Sequence, residues 1–323
     1  MSKIINWGIL GPGKIAKKFA LGLSYVPNAN LYAAASRSLE KAKDFSAEMG
    51  ADKAYGSYTE MLNDPKVDAI YIATPHVFHY EHTLLCLKHK KPVLCEKPFA
   101  MNKDQVKEMI DFAQKQDTFL MEAMWTHFLP HFKYTKEVIK SGKYGKVLVM
   151  EADFGFDAPF NANSRIYNKS LGGGSLMDIG IYPIFAALSF LGIPEKIKAT
   201  AKMTKTEVDA RCHATFFYPE NVKAELYSFV DKHTDVAATI KLEKAEIYIK
   251  PRFHQPSSVM ITTENDSFTK EFGVKANGYN FEAEHVGQML LEGKKESTEM
   301  SFDKSLELIE MLDKVREKIG LEY

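Results

Sequence analysis

The amino-acid sequence predicts an α/β protein of two domains. Residues 1–122 are expected to form a doubly wound parallel sheet, and residues 123–323 an α+β domain with an open, mostly antiparallel sheet. Short apolar runs alternate with helical patterns in the first part. Near residue 121 the pattern changes to successive strand-like runs without intervening helices. Because no Gly/Ser-rich linker marks the boundary, the change of pattern places it.

Short apolar runs of strand length occur throughout the first domain. They are residues 4–10, 31–35, 69–73, 93–95 and 118–121. Between them, apolar residues recur at helical spacing, for example Ile15, Phe19 and Leu23. Asn102, with Gln105 three residues later, is a candidate N-cap for the last of these helices. Alternation of strand and helix indicates parallel strands with helices on both faces of the sheet.

The second domain is expected to begin with a helix over residues 130–141. Strand-like runs follow it, at residues 147–156, 196–203, 211–218, 222–229, 237–242, 246–249 and 259–263. Short turns between consecutive runs, such as residues 218–221, indicate antiparallel pairing. Helices with apolar stripes over residues 281–292 and 304–319 follow the last strand.

The composition is that of an ordinary globular protein, with 45% hydrophobic and 26% charged residues. Lys plus Arg (42) balances Asp plus Glu (42), so no net field would attract nucleic acid or an anionic membrane. The N-terminal residues lack the apolar stretch of a signal peptide, and no apolar run has the length of a membrane span. Three cysteines without metal-ligand spacing favour reduced thiols and a cytoplasmic location.

A glycine-rich turn directly follows the first predicted strand and has the pattern G-x-G-x-x-A over residues 11–16. Gly11 permits a tight turn, and Gly13 lets the backbone approach a pyrophosphate. Lys14 and Ile15 begin a helix whose amides would face the phosphates, and Ala16 lets that helix pack on the strand. Alone the pattern could be a chance turn. Between a buried strand and an amphipathic helix it predicts a dinucleotide-binding Rossmann fold.

The second predicted strand ends in Ser36 and Arg37, where an NAD-binding chain usually has Asp or Glu to bind the ribose 2′-hydroxyl. A hydroxyl and a guanidinium suit a 2′-phosphate instead. The alternative is that Arg37 is a solvated loop residue and that both cofactors are tolerated. The missing carboxylate favours NADP.

A loop with three histidines follows the run over residues 69–73. Thr74 and Pro75 lead into His76, His79 and His82, at the carboxyl end of a parallel strand, where such sheets bind ligands. The regular spacing invites a metal site, but no carboxylate completes it. We therefore expect no metal here, and a loop that packs on the nicotinamide ribose.

Glu96-Lys97-Pro98 follows the run over residues 93–95, again at the ligand-binding edge. Because lysine is disfavoured in a buried setting unless it is paired, its place here requires an explanation. An ammonium beside a substrate hydroxyl can bind it and lower the pKa of a neighbouring general acid/base. The alternative is a surface lysine at a strand end. Pro98 is a candidate cis-proline.

Three successive glycines, residues 172–174, precede Asp178 and Tyr182. Because glycine is costly to order, the run suggests close backbone approach to a ligand or to another segment. Asp178 and Tyr182 are four residues apart, so they share a face if the segment is helical.

Three of these motifs, in this order, resemble those of the glucose-fructose oxidoreductase/inositol dehydrogenase (Gfo/Idh/MocA) family: the G-x-G-x-x-A turn, Glu96-Lys97-Pro98, and the glycine run with Asp178 and Tyr182. The strand-helix layout is similar across nearly the whole chain. Residues 122–130 and 164–167 are most similar to its dimeric dihydrodiol dehydrogenase and NADP-dependent D-xylose dehydrogenase branch. The resemblance implies an oxidoreductase acting on CH-OH or CH-CH groups. It would move a hydride between NADP and a hydroxyl-bearing carbon of a sugar, such as xylose, or of a trans-diol.

The resemblance also implies residue roles: Lys97 as catalytic lysine, Tyr182 as general acid/base and Asp178 as the residue that orients the substrate. The implied cofactor contacts are Gly11, Gly13, Lys14, Ile15, Ser36, Arg37, Thr74, Pro75, His79, Glu96 and Lys97. The outer face of the second-domain sheet would form a homodimer interface.

On the substrate side, Trp125 and Phe154 are candidates for an aromatic pocket wall, although aromatic residues at a domain junction are also ordinary core. Arg165 lies in a polar loop that is either a lid over the site or a solvated turn. His127 stands where the branch commonly has arginine, so the resemblance leaves the substrate open.

Two alternatives to a sugar or diol dehydrogenase remain open at this point. One is an NADPH-dependent reductase of a dicarbonyl or keto-sugar, since the same residues serve both directions. The other is a catalytically silent NADP sensor, because the fold hosts such proteins. A silent member would be expected to lose Lys97 or Tyr182, and both are present.

Overall fold

A computed structural model of the chain describes residues 3–323. The chain divides into two compact units. The first unit extends to Trp125 and also contains Val274–Leu306, and the second comprises Thr126–Gly273 and Glu307–Tyr323. The segment Val274–Leu306, which the predicted boundary assigns to the second domain, thus groups with the first unit.

The first unit contains the predicted parallel sheet, with six strands within the described residues. They are β1 (Ile5–Leu10), β2 (Ala29–Ala35), β3 (Lys53–Tyr55), β4 (Ala69–Ile72), β5 (Val93–Glu96) and β6 (Leu120–Ala123). Their order, β3-β2-β1-β4-β5-β6, is that of a doubly wound sheet, which confirms the predicted fold class. The sequence analysis missed β3, because three residues that are not fully buried give no strand pattern.

Helices cover both faces of this sheet, as its buried strands require. In the first unit they are α1 (Lys14–Leu23), α2 (Leu39–Met49), α3 (Tyr58–Leu62), α4 (His79–Lys88), α5 (Lys103–Gln116) and, after the second unit, α8 (Tyr279–Leu291). The predicted N-cap of α5 is confirmed: the Asn102 side chain accepts a hydrogen bond from the Gln105 N–H at 2.9 Å.

Helices α1 and α8 pack closely at Gly22. A Cβ atom at this position would lie 2.7 Å from the Tyr279 Cβ and 2.8 Å from the Asn277 Oδ1. Beneath α1, the Phe19 ring stacks on Tyr71 of β4, with 3.7 Å between ring centroids. The absence of a side chain at Gly22 therefore lets α8 join the first unit.

The second unit contains α6 (Pro130–Lys140), α7 (Ile181–Leu191) and an eight-stranded sheet. Its strands are β7 (Val147–Gly155), β8 (Lys196–Met203), β9 (Asp209–Phe217), β10 (Lys223–Phe229), β11 (Ala238–Leu242), β12 (Ala245–Ile249), β13 (Val259–Thr263) and β14 (Ser267–Lys270). Helix α9 (Phe302–Ile319) follows α8 and has its last turns in this unit.

The sheet order is β14-β13-β12-β11-β7-β10-β9-β8. All neighbouring pairs are antiparallel except β7 and β10, so the predicted open, mostly antiparallel sheet is confirmed. Burial alternates along β9 and β10, because one face packs against other elements of the unit, including α7. The sequence analysis missed β14, whose four residues are all exposed.

The stretch Lys169–Leu191 is long and apolar enough to cross a membrane, with a mean hydropathy of 1.5. However, 78% of its apolar window is buried inside the protein, as in a core helix.

A buried carboxylate holds the chain ahead of α7. Asp209 Oδ2 accepts hydrogen bonds from the Ser175 hydroxyl at 2.6 Å and the Leu176 N–H at 2.7 Å. A Cβ at Gly173 would lie 2.7 Å from the Ile166 carbonyl oxygen, and Gly174 has a φ of +115°. The glycine run therefore permits close approach to another segment of the chain, one of the two predicted possibilities.

We expect Gly22→Ala to lower the free energy of unfolding by about 1–3 kcal/mol, the usual cost of overpacking. Gly287→Ala, in the partner helix α8, is the matched control. A Cβ there meets no atom closer than 3.8 Å, so it should gain up to about 1 kcal/mol from better helix propensity. Urea unfolding of both variants measures the difference, and equal effects would contradict the close packing at Gly22.

A second prediction concerns Asp209. Burial raises its pKa to about 6, against the hydrogen bonds from Ser175 and Leu176. A carboxyl whose pKa is raised on folding holds its proton more tightly in the folded state, so its charged form costs stability. The free energy of unfolding should fall by about 3 kcal/mol as the pH rises from about 4 to about 6. Asp209→Asn should abolish this fall.

Asp231→Asn is the control with the opposite sign. Burial raises the pKa of Asp231, but the Arg211 guanidinium, whose Nε donates to Asp231 Oδ1 at 2.7 Å, outweighs burial and holds this pKa below its ordinary value. Asp231 should therefore stabilise the fold at neutral pH and lose this contribution as the pH falls. Unfolding in urea at a series of pH values tests both variants, and parallel curves for wild type and Asp209→Asn would refute the assignment.

Candidate functional site

A cleft of about 930 Å³ lies at the carboxyl edge of the parallel sheet. Six predicted cofactor residues line it together: Gly11, Gly13, Ser36, Arg37, Thr74 and Pro75. Three elements that are distant in sequence contribute them, namely the turn after β1, the end of β2 and the loop after β4. The structure thus brings these six together, whereas the other predicted cofactor residues are not among those that line the cleft: Lys14, Ile15, His79, Glu96 and Lys97.

The glycine turn has the geometry that its sequence predicts. Gly11 has a φ of +91°, and a Cβ there would lie 2.6 Å from the Thr74 Cγ2. Around Gly13, by contrast, nothing lies closer than 4.0 Å to an added Cβ. Gly13 is also the N-cap of α1 and makes no side-chain cap, so the first amides of Lys14 and Ile15 suit a phosphate group.

The end of β2 carries positive charge in place of the acidic residue typical of NAD sites. Arg37 is exposed beside Ser36, whose hydroxyl accepts a hydrogen bond from the Ser38 N–H at 3.2 Å. Lys41, in the first turn of α2, lines the same cleft, and the sequence analysis missed it. Its position four residues after Arg37 at a helix start was the available signal. These groups fit the 2′-phosphate of NADP.

The histidine loop packs inside the first unit. His79 is buried, with its Nδ1 2.8 Å from the Pro98 carbonyl oxygen and its Nε2 2.8 Å from the Thr74 carbonyl oxygen. Because carbonyl oxygens only accept hydrogen bonds, a ring nitrogen that bonds to either of them does so as the donor. Burial, together with the charges of His79 and Arg37, lowers the pKa of His82 to about 4. No three potential metal ligands cluster among residues 3–323.

Lys97 stands at the start of a turn, and the Lys97-Pro98 peptide bond is cis. Buried side chains bind the backbone of this turn on several sides. Glu96 Oε2 accepts from the Lys97 N–H at 3.1 Å, and Glu122 Oε1 accepts from the Phe99 N–H at 3.1 Å. His79 donates to the Pro98 carbonyl. Side chains from three elements of the first unit therefore hold the backbone of the turn that carries Lys97.

Glu96 is buried beside other ionisable groups. Burial raises its pKa, against the charge of Lys97 and a hydrogen bond donated by the Tyr71 hydroxyl. Burial and the nearby Glu96 likewise raise the pKa of Glu282, on α8, well above its ordinary value. The sequence analysis missed Glu282, because its proximity to Glu96 depends on the packing of α8 in the first unit.

In the second unit, Leu176–Gly180 forms a π-helical turn that continues into α7. Such turns are frequent at functional sites, and this one carries Asp178, with Tyr182 in the first turn of α7. Both terminal nitrogens of Arg165 donate to the Asp178 carboxylate, each at 3.0 Å. Arg165 is therefore paired with a predicted substrate residue, while its own side chain stays 41% exposed.

Tyr182 is buried in an aromatic cluster. Its ring centroid lies 5.6 Å from that of Phe154 and 4.9 Å from that of His254. The backbone carbonyl of His254 accepts a hydrogen bond from the Thr126 hydroxyl at 2.9 Å. The sequence analysis missed His254, since it lies between β12 and β13 in a loop without a motif. Phe154 thus belongs both to the packed core and to the surroundings of Tyr182.

The remaining candidates are also buried. In the first unit, Trp125 stacks on Tyr279, with 4.2 Å between ring centroids. In the second, His127 is 6% exposed and packs edge-on against Phe185 at 5.8 Å. At the position where the branch commonly has arginine, this chain therefore has an imidazole packed against an aromatic ring.

Comparison with known proteins supports both units. A family model described as "Oxidoreductase family, NAD-binding Rossmann fold" matches residues 5–124, and a second one described as "GFO/IDH/MocA C-terminal domain" matches residues 132–248. The trans-1,2-dihydrobenzene-1,2-diol dehydrogenase of Xenopus tropicalis is 36% identical over 328 residues, 98% of this chain and 99% of the relative. The human enzyme of that name is 32% identical, over 99% of this chain and 98% of the relative.

Solved structures show the same architecture. A 3-ketoreductase from Actinomadura kijaniata, in complex with NADP and TDP-benzene, superposes with a TM-score of 0.88 at 25% identity, over 98% of each chain. The aldose-aldose oxidoreductase of Caulobacter crescentus gives a TM-score of 0.89 at 23% identity, over 98% of each chain, and supports the fold. Sequence, fold and cleft agree, and the chain belongs to the GFO/IDH/MocA family of oxidoreductases, with an NAD-binding Rossmann domain at its start.

Proposed function

We propose that this protein is an NADP-dependent dehydrogenase that transfers a hydride between the nicotinamide and a hydroxyl-bearing carbon of a sugar or trans-diol. One observation carries the proposal. The first unit combines a cleft whose β2 end bears Arg37 and Lys41 with the bound turn of Lys97. The first feature suits the 2′-phosphate of NADP, and the second holds the backbone of the residue that we propose as the catalytic lysine.

The relatives' names support the substrate class. Those at 32–36% identity are named for a cyclic diol, trans-1,2-dihydrobenzene-1,2-diol. The second unit offers matching chemistry, since an aromatic cluster around Tyr182 can contact a ring. The paired Asp178 and Arg165 can bind hydroxyl groups through the remaining lone pairs and N–H groups. Neutral cyclic polyols, either pyranoses or diols, fit both features.

The roles of the catalytic residues follow from their chemistry. Bound NADP would supply the hydride acceptor. Tyr182 would take the proton of the substrate hydroxyl, although a free phenol has a pKa near 10. We propose that the Lys97 ammonium acts on the same hydroxyl, which would lower the pKa of the Tyr182 phenol toward the working pH. Asp178 would orient the substrate.

The reverse reaction is the second candidate, because a protein with a similar structure and 25% sequence identity is named a 3-ketoreductase. In a reduction of a keto-sugar or dicarbonyl, Tyr182 would donate its proton and Lys97 would polarise the carbonyl oxygen.

We also propose a cytoplasmic homodimer that forms through the outer face of the second-unit sheet. The three cysteines are buried free thiols. On the sheet, the Tyr227 ring stacks against His213 at 4.4 Å, and both are part-exposed. A stacked aromatic pair on an open sheet face suits a protein interface. Light scattering that gives the 36.5 kDa mass of a single chain would contradict the dimer.

The activity is tested by NADP⁺ reduction across a panel of aldopyranoses and cyclic trans-diols, followed by nicotinamide absorbance, with NAD⁺ in parallel. We expect turnover that is faster with NADP⁺, and Tyr182→Phe should lower kcat by roughly 10²–10⁴-fold, the usual worth of a positioned acid/base. Its phenyl ring preserves the contacts with Phe154 and His254. The control is Tyr218→Phe, because the buried Tyr218 hydroxyl has no hydrogen-bond partner among residues 3–323. An unchanged pH–rate profile in Tyr182→Phe would reject it as the proton carrier.

Cofactor choice is tested separately by Arg37→Ala. The variant should weaken NADP⁺ binding about 10–100-fold, because it loses charge-assisted hydrogen bonds to the 2′-phosphate, and leave NAD⁺ binding unchanged. Fluorescence titration with both cofactors measures this, with Lys43→Ala on the exposed side of α2 as control. An equal loss for both cofactors would mean that Arg37 does not bind the 2′-phosphate.

A further inference from the structure

Glu122 is a buried carboxylate that binds the Lys97 turn from the neighbouring strand. It is 2% exposed, and it lies on β6 opposite Cys95 of β5 in the parallel ladder. Its Oε1 accepts the Phe99 N–H at 3.1 Å, two residues beyond Lys97. Glu122 is the first residue of the segment 122–130 that resembles the dihydrodiol dehydrogenase branch, but the resemblance implies no role for it.

A carboxylate is a costly choice for this position. A single N–H needs only an uncharged acceptor, whereas a buried charge carries a desolvation penalty. Burial raises the pKa of Glu122 to about 7, against the Ser305 hydroxyl, the Phe99 N–H and the positive charge of Lys97. The nearby Glu96 also raises this pKa, so Glu122 is only partly ionised near neutral pH, and the Lys97 charge favours its ionised form.

We propose that Glu122 is a positioning residue for the reaction, which fixes the Lys97-Pro98-Phe99 turn and holds the Lys97 amine in its ammonium form. This proposal rests on the proposed function, since it assigns Glu122 a task toward Lys97 as catalytic lysine. Glu122 acts through Lys97, so it tunes the catalyst without touching the substrate.

Other ionisable groups of the first unit surround the same turn, and they set the size of the effect. Glu96 adjoins Lys97 and interacts with both Lys97 and Glu122. Beyond Glu96 lie Tyr71, Lys18 and Glu282, and His79 contacts the turn from α4. Because Glu96 also attracts the Lys97 ammonium, loss of the Glu122 charge should weaken the ammonium form without abolishing it.

Two variants separate the hydrogen bond from the charge. Glu122→Gln keeps an amide oxygen for the Phe99 N–H and removes the charge, whereas Glu122→Ala removes both. Competitive labelling with acetic anhydride at a series of pH values, quantified by mass spectrometry of the Lys97 peptide, gives the pKa of Lys97. We expect Glu122→Gln to lower this pKa by about one unit, since a nearby anion favours the ammonium.

Activity supplies the second readout. Glu122→Gln should retain the melting temperature and the affinity for NADP and lower kcat about tenfold. Its kcat pH profile should shift to lower pH, following the lower pKa of Lys97. Glu122→Ala should lose at least another tenfold in kcat. The higher kcat of Glu122→Gln would then show the contribution of its hydrogen bond to the Phe99 N–H. Glu108→Gln, which removes an exposed carboxylate of α5 that binds Tyr80, is the control and should change neither readout.

The labelling measurement distinguishes failure of this proposal from failure of the proposed function. It needs only folded protein, so it remains decisive if no panel substrate turns over. An unchanged Lys97 titration in both variants would overturn the electrostatic role. Parallel losses of melting temperature and kcat, with the Lys97 pKa unchanged, would reduce Glu122 to a structural residue and overturn the proposal as well.

Discussion

The first unit depends on one constraint: the turn after β5 is buried, so its backbone polar groups must find partners within the protein. Glu96, Glu122 and His79 provide them from β5, β6 and α4. His79 also spans to the Thr74 carbonyl in the loop after β4. The position of Lys97 is thus coupled to the loop after β4, which lines the cofactor cleft. A shift of β4 or β5 would therefore disturb both the Lys97 turn and this loop.

The sequence predicts best what short-range patterns encode. The turn at Gly11 and Gly13, the strands of both sheets and the cap at Asn102 follow from the conformational freedom of glycine, hydrophobic periodicity and capping chemistry. Strands β3 and β14 escape prediction, because three or four residues of which none is buried carry no periodic signal. The membership of α8 in the first unit escapes for another reason. It depends on the contact at Gly22, where the missing side chain is informative only once Tyr279 is placed against it.

Site residues show the same division. Residue type and motif suffice to select Lys97, Tyr182 and Asp178 as candidates, but their partners come from distant parts of the chain. In sequence Arg165 could lie in a lid or in a solvated turn, and only the structure shows its bidentate contact with Asp178, which is compatible with both. Glu122 illustrates the limit, since an acidic residue inside an apolar strand has no meaning until its Phe99 partner is known.

The two carboxylates near the proposed chemistry differ in what balances their charge. Asp178 is paired with a guanidinium that meets both of its oxygens, so the pair as a whole is neutral and retains hydrogen-bonding capacity for hydroxyl groups. Around Glu122, neutral donors and the Lys97 charge favour its ionised form, whereas burial and the Glu96 charge oppose it. Glu122 is buried, whereas Asp178 has a charged partner. These environments suit the roles proposed above, Asp178 toward the substrate and Glu122 toward Lys97, which residue type alone does not distinguish.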